Sequence, residues 1–435
     1  MHIFSGNLFR GPTSLGRRIL VNTGALASAN LWRIVVSFLV QLFVARRLGL
    51  EALGEYTVAM AYLNISQVLC EMGLPLWMVR KLAQAPFLRR AYFRRGALLQ
   101  TGAALVLWAL LAGLVTLLPY TESTRTAIFW VGASLPLFAV TSATATIYQA
   151  AERMTLAFVI EFVTNSLILL FSLWGLWQGH GVADLLLIVV IAQGIGMVVG
   201  LALLWHSKLL AAPQNRASLP LGEAVAGALP FFGLSLTDVL LQRIDILLLS
   251  FLGDARLLGA YSAAYNLVRV AGKLLQSVWR GVYPTLARLY PTAPAQAQRV
   301  ARQLFGVGIG LCTLGALLVA VLATPILRLI YGISAGEADS TANSVVATVL
   351  ALLIWHAPLF FLELYATTWL LVVARARSAL GLALLHVFLL ALLLPTGATL
   401  GGAVGAAWGT VAAQGVAAAA SFWLMRRYVA APPTA

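Results

Sequence analysis

The sequence predicts an all-α polytopic membrane protein of twelve transmembrane helices, in two six-helix lobes around a central cavity. Three observations predict it. Hydrophobic residues make up 61% of the 435 residues and charged residues 10%, with a mean hydropathy of +0.91. Apolar runs of span length, about 20 residues, recur along the whole chain. The second half also repeats landmarks of the first. An ordinary soluble domain of this length is excluded.

The predicted spans lie near 19–45, 53–79, 96–118, 126–148, 155–177 and 184–206, then near 226–252, 257–283, 303–327, 342–372, 378–394 and 402–425. The segment between the two groups carries Pro213, Gln214, Asn215 and Pro220 and reads as a linker. The expected layout is therefore an N-terminal lobe 1–206, a cytoplasmic linker 207–222 and a C-terminal lobe 223–435. Gly54-Glu55-Tyr56 in the first group is matched by Gly259-Ala260-Tyr261 in the second, each after a Leu-Gly pair, Leu48-Gly49 and Leu252-Gly253. An even number of spans per half makes both copies enter the membrane in the same sense. The repeat is then parallel, about a pseudo-two-fold axis along the membrane normal, and a transporter architecture follows.

The net charge is +15, yet most of the 29 Lys and Arg fall in short segments on one side of the spans. Positive-inside topology explains that pattern and puts both termini in the cytoplasm. The segment Arg80 to Arg95, with Arg80, Lys81, Arg89, Arg90, Arg94, Arg95 and no acid, sets orientation and meets anionic headgroups. No basic domain outside the spans is long enough to bind nucleic acid. The first apolar segment follows Arg17 and Arg18 at full span length, so no cleavable signal is expected. Cys70 and Cys312 sit in apolar spans and offer neither a disulfide framework nor a metal site. The outer loops are short, the longest around Glu337 and Asp339, which leaves no external domain to house chemistry.

The polar residues inside the spans carry the functional signal. Span 8 places Arg269, Lys273, Gln276 and Arg280 on one helical face. A basic side chain at the bilayer centre costs about 2.5–3.5 kcal/mol on insertion scales, so such a stripe needs water, an acid or an anionic ligand beside it. Aligning the repeats puts Asn64 at the position of Arg269 and Glu71 at that of Gln276, so span 2 has its own stripe of Asn64, Gln67 and Glu71. Span 7 carries Ser235, Asp238, Gln242 and Asp245 on one face, and Arg33 lies near the middle of span 1. Spans 1, 2, 7 and 8 are corresponding pairs, expected to face one space.

For Arg269 and Lys273 two readings stand: contact with anionic cargo, or an ion pair with Asp238. Arg280 lies near the inner end, where it lines the cavity or snorkels to headgroups. Asp238 and Asp245 pair with a cation, titrate or bind Na⁺. Glu161 and Glu363 are expected in interhelical hydrogen bonds within the lobes. His356 before Pro358 reads as a hydrogen-bonded histidine at a kink or a proton relay. His180, His206 and His386 form no ligand spacing. Gly401, Gly405 and Gly409 form a small-xxx-small run for internal packing rather than for a dimer face, and a monomer is the expected state.

The segments LGLEALGEYTVAMAY at 48–62, LPFFGLSLTDVLLQRIDILLLSFLGDARLLGAYSAAYNL at 229–267, LATPILRLIYG at 322–332 and GAAWGTVAAQ at 405–414 resemble bacterial polysaccharide flippases. These are the O-antigen and exopolysaccharide repeat-unit flippases of the multidrug/oligosaccharidyl-lipid/polysaccharide exporter superfamily. The resemblance covers nearly the whole chain through loose, mostly apolar motifs. It implies two lobes forming a V-shaped cavity lined by spans 1, 2, 7 and 8. It also implies an inner-membrane flippase moving an undecaprenyl-diphosphate-linked oligosaccharide from the inner to the outer leaflet, in lipopolysaccharide O-antigen or exopolysaccharide synthesis. Expected partners are that lipid-linked sugar, membrane lipids, and the polymerase and chain-length proteins of the assembly system. Arg and Lys at mid-membrane suit a diphosphate, although the family does not hold cavity cations at fixed positions. No cofactor is expected beyond coupling by Na⁺ or H⁺. Lipid II flippases of the superfamily have two further C-terminal helices, and no apolar segment follows Arg427. Other readings are a cation-coupled multidrug exporter, a polymerase or ligase acting on the same lipids, and a non-transporting scaffold of polysaccharide assembly.

Overall fold

The computed structural model describes residues 15–210, 221–252, 255–331 and 340–429, all of them helix or short turns. The thirteen α-helices among them run α1 Leu15–Glu71, α2 Leu74–Gln84, α3 Arg89–Leu117, α4 Glu122–Ala150, α5 Met154–Trp177, α6 Val182–His206, α7 Leu221–Ser250, α8 Ala255–Leu289, α9 Pro294–Val321, α10 Ala323–Tyr331, α11 Ser340–Leu353, α12 His356–Val372 and α13 Ala376–Val429. A 3₁₀ turn, Pro86–Leu88, precedes α3. Nine helices among the described residues are long and apolar enough to cross a membrane. The linker residues 211–220, Gly253, the loop with Glu337 and Asp339, and the side chains of Arg17, Arg18 and Arg280 lie outside what is described.

Several predicted spans are reshaped at residues that local chemistry explains. Spans 1 and 2 run together in α1, parted by non-helical backbone at Gly49 (φ 90°, ψ 178°), a conformation that glycine enters without steric penalty. Span 2 ends at Glu71 rather than near 79. Met72 and Gly73 are left-handed, and Pro75 opens a separate α2. Gly73 is required there twice over: its φ is 71°, and a Cβ would stand 2.4 Å from the Phe232 amide nitrogen of α7. Span 9 divides into α9 and α10, and span 10 into α11 and α12, each second piece opening with a proline in its first turn, Pro325 and Pro358. Spans 11 and 12 run together in α13, broken at Gly401 and Gly402. Gly401 thus serves a turn, whereas Gly405 and Gly409 do pack: Cβ atoms there would stand 1.9 Å from Gly397 O and 2.2 Å from Leu393 O, on the first half of the same element.

The chain forms two compact units. Unit 1 comprises Met1–Arg47 and Glu55–Arg243; unit 2 comprises Leu48–Gly54 and Ile244–Ala435. The division falls inside α7, whose first part belongs to unit 1 and whose last residues belong to unit 2.

In unit 1, α4 packs between α3 and α6, with α5 against α6. Its core gathers Trp77, Met78, Tyr92, Tyr148 and Ile160 with Ala224 and Ala228 of α7. Trp77 stacks on Tyr92 at 5.7 Å between centroids, and Tyr148 Oη donates to Gly200 O at 2.9 Å. Unit 2 centres on α12, packed by α8, α9 and α13, around Trp279, Phe361, Tyr365, Trp369 and Met425. Large aromatic rings supply much of its buried area. Within unit 2 the two repeat glycines meet: a Cβ on Gly259 would stand 1.9 Å from Leu50 O, and one on Gly54 2.7 Å from Ala255 O. Only the absence of a side chain allows backbone to approach backbone so closely.

Candidate functional site

In unit 2, α8 turns one face inward, with Tyr261, Ala264, Val268, Trp279 and Leu286 all buried. At 100° per residue the stripe of Arg269, Lys273 and Gln276 lies about a quarter turn from that face, and all three side chains are half-buried. Arg269 Nη1 is out of contact with solvent and has no hydrogen-bond partner among the described residues. A buried guanidinium nitrogen in that state costs about 1–3 kcal/mol or more, which a bound anion would remove. The backbone of Arg280 continues the same helix.

In unit 1, Arg33 is exposed and donates to Asn30 Oδ1 at 2.9 Å. Its neighbour Trp32 fixes the helix against α5 through Nε1 to Ser166 Oγ, 3.1 Å. Asn64 bonds the Met60 carbonyl one turn back. Glu71 accepts from Ser142 Oγ of α4 at 2.5 Å and feels the charges of both Arg33 and Glu161. Spans 1, 2 and 5 thus bring Arg33, Glu71 and Glu161 into one electrostatic neighbourhood. Glu161 itself bonds Asn165 one turn along its own helix, at 3.1 Å, rather than another helix.

The α7 acids share a face and occupy different surroundings. Asp238, in unit 1, is exposed and accepts from Gln242 Nε2 at 2.9 Å. Asp245, in unit 2, is 1% exposed, and Tyr261 Oη reaches its Oδ2 at 3.4 Å while also meeting Thr410 Oγ1 at 3.0 Å.

A buried cluster in unit 2 went unassembled in the sequence reading. Glu363 of α12, 8% exposed, accepts from Gln414 Nε2 at 2.6 Å, and His386 Nδ1 stands 3.5 Å from its other oxygen. The interhelical hydrogen bond expected of Glu363 is present, and His386 joins it. His356 lies within electrostatic reach of both and packs its ring edge-on to Tyr265, 6.1 Å away. Tyr265 stacks in turn on Tyr261, so the cluster and Asp245 are linked through two rings. The sequence signal was there, since His386 and Gln414 each stand in a strongly apolar stretch, but spacing along the chain does not report which helices touch. No group of three or more His, Cys, Asp or Glu suited to a metal ion occurs among the described residues.

Comparison with known proteins bears on the apolar helical frame that carries these groups. Residues 19–290 match the family described as "Polysaccharide biosynthesis protein". No curated protein matches significantly in sequence. Among solved structures the chain resembles the lipid II flippase MurJ in an inward closed conformation, at a TM-score of 0.71 and 12% identity over 92% of this chain and 87% of that one. It also resembles an inward-facing multidrug resistance MATE family transporter of the MOP superfamily, at 0.72 and 12% over 92% and 94%. A mutant form of the Vibrio cholerae MATE transporter VcmN matches at 0.62 and 16% over 96% and 97%. These likenesses establish an all-α fold shared with a lipid II flippase and with MATE transporters of the MOP superfamily. The chain belongs to the polysaccharide biosynthesis protein family and has the fold of the MOP-superfamily proteins it resembles.

Proposed function

We propose that the protein is a flippase of the bacterial inner membrane, with cytoplasmic termini, moving undecaprenyl-diphosphate-linked oligosaccharide from the inner to the outer leaflet by alternating access. The observation that carries this reading is the cationic stripe of α8, with a buried Arg269 Nη1 that lacks a hydrogen-bond partner among the described residues. A diphosphate supplies several acceptor oxygens to Arg269 and Lys273, and charge-assisted bonds of that kind are the strong ones. Gln276 and Asn64 add neutral donors for sugar hydroxyls, Arg33 a further cation, and Arg280 an inner-end contact as cargo enters. The prenyl tail stays in lipid, which lets an apolar chain cross without entering a polar path.

Glu71, Asp238 and Asp245 serve coupling by Na⁺ or H⁺, or hold a basic residue while cargo is absent. Twelve spans in two lobes, of 1–206 and 223–435, are the layout proposed for alternating access.

The test is complementation of a flippase-null strain. Arg269→Ala and Lys273→Ala should each abolish surface polysaccharide while protein levels stay normal. Wild-type polysaccharide in both variants would remove the stripe from the mechanism. Drug resistance conferred by both variants would favour a cation exporter instead.

A further inference from the structure

The end of unit 1 where α3 and α5 begin holds a charge arrangement that transport does not use. Arg89 is the first residue of α3, and Arg153 is the N-cap of α5. Leu88 and Ala91, on either side of Arg89, pack against the same core cluster as Leu156 and Ala157, just past Arg153, so the two arginines start from neighbouring helix ends and Arg89 feels the charge of Arg153. Arg89 Nε is buried and has no hydrogen-bond partner among the described residues, and neither arginine has a carboxylate partner there. Glu152, the acid next to Arg153 in the chain, is exposed and pairs with neither. Glu223, the other acid nearby, is taken by Lys81 at 2.8 Å.

The backbone of Arg153 is fixed. Glu152 is left-handed (φ 56°), and the Arg153 amide donates to Tyr148 O at 2.9 Å, the bond that closes a helix C-terminus of this kind. Arg89 is fixed by the bend at Ala85 and the turn Pro86–Leu88. Backbone geometry thus fixes where both arginine side chains begin, and Arg89 has a buried donor left over.

The local dipoles sharpen the imbalance. Neither α3 nor α5 has an acid in its first turn or a capping side chain, and α3 starts with Arg89 and Arg90. At the opposite end of the same unit α4 is capped by Thr121 with Glu122 following, and α6 has Asp184 in its first turn. Cations at a helix N-terminus are unfavourable and an anion is favourable. What this end lacks is negative charge.

Both arginines stand at the first residues of membrane-length helices, Pro86–Leu117 and Met154–Trp177, which is headgroup depth. Phe87, 49% exposed, sits beside them in the turn, placed to enter the acyl region. We propose that Arg89 and Arg153 form a discrete binding site for the phosphate of an anionic phospholipid, with Phe87 against its acyl chains. This site is independent of cargo recognition by α8.

The experiment uses the full-length protein purified in neutral detergent, with phosphatidylglycerol or phosphatidylcholine added back, and reads retained lipid by native mass spectrometry and the unfolding temperature. Wild type should retain phosphatidylglycerol over phosphatidylcholine and be stabilised by it. Arg89→Gln with Arg153→Gln should lower the affinity by about tenfold for each arginine, as for a charge-assisted bond. Arg125→Gln, at the other end of the unit, should leave lipid retention unchanged. Without lipid the double variant should unfold no earlier than wild type, because repulsion has been removed; earlier unfolding would make the arginines structural and overturn the site. Equal lipid retention by the double variant overturns it as well, as does equal protection by phosphatidylcholine. Stabilisation by inorganic phosphate equal to that by phosphatidylglycerol would replace the lipid with a free anion.

Discussion

In unit 1 the arginine that follows the left-handed turn after α4, Arg153, puts its charge within reach of Arg89; in unit 2 its counterpart after α12, Arg375, lies over the Tyr428 ring at 4.6 Å. The turns themselves are near copies. Glu152 and Ala374 are both left-handed, at φ 56° and 59°, and the following amides donate to Tyr148 O and Leu370 O at 2.9 and 2.8 Å. The bends at Ala85 and Ala293, each before a proline, agree as closely, with φ,ψ of −134°, 73° and −144°, 69°. The repeat tyrosines diverge again: Tyr56 is buried near Arg243, while Tyr261 bonds Asp245. The halves keep the same backbone devices and load them with different charges. The reason is physical. The last carbonyls of a helix need partners wherever the helix ends, so turns that supply them have few substitutes, whereas the side chains at those turns are free to specialise.

The largest effect expected of any substitution tests how far the halves have parted. Gly73 aligns with Val278 of α8, the helix that runs straight where its counterpart breaks. Gly73→Val places a branched side chain at φ 71° with its Cβ 2.4 Å from Phe232 N, and should abolish folded protein in size-exclusion chromatography. The reciprocal Val278→Gly, at a site 57% exposed, should cost less than about 1 kcal/mol in thermal unfolding. Equal behaviour of the two variants would mean that the broken and straight helices are interchangeable.

The next effect compares the buried acids. Glu363→Ala leaves Gln414 Nε2 without its acceptor and removes the anion beside His386, in surroundings closed to water. A loss of about 1–3 kcal/mol for each stranded group is expected, and Glu363→Gln should recover part of it. Glu71→Ala removes one bond to Ser142 at a half-buried position and should cost about 0.5–1.5 kcal/mol. Paired thermal unfolding curves measure both, and a larger loss at Glu71 would reverse the order drawn between the units.

The smallest effect belongs to Lys81 and Glu223, an exposed pair at 2.8 Å tying α2 to α7. Lys81→Ala should leave the unfolding temperature within error, as solvated pairs usually do. Glu223 holds the Lys81 ammonium above its ordinary value, so the pair's contribution is present below the normal lysine range and lost as pH rises through the raised value. The small effect of this variant should therefore stay constant across neutral pH, and a marked change near pH 7 would point to another role.

Much of the fold was legible because hydropathy is a sum over neighbours in the chain. Span existence came from that sum, the internal repeat from the matched Gly-x-Tyr landmarks, and the expectation of a transporter from the two together. Helix breaks were less legible: Gly73 and Gly401 stand in sequence like any glycine of an apolar helix, and the approach of α7 is what requires the first. Among candidate site residues, the α8 stripe could be written from helical spacing, and Arg269 was found half-buried with a stranded nitrogen. The pairing of His386 and Gln414 with Glu363 could not, because the three lie on helical segments whose contact depends on packing.

The amino-acid order by itself determined that the chain is a bundle of membrane helices carrying basic residues at membrane depth, since apolar length and charge placement are properties of single segments. Only the tertiary structure decided which charges are compensated. It gave Glu71 to Ser142, Asp245 to Tyr261 and Glu363 to Gln414, and left Arg269 and Arg89 with unmatched donors among the described residues. Compensation is a matter of distances of a few ångströms between helices, and no period along a chain encodes those.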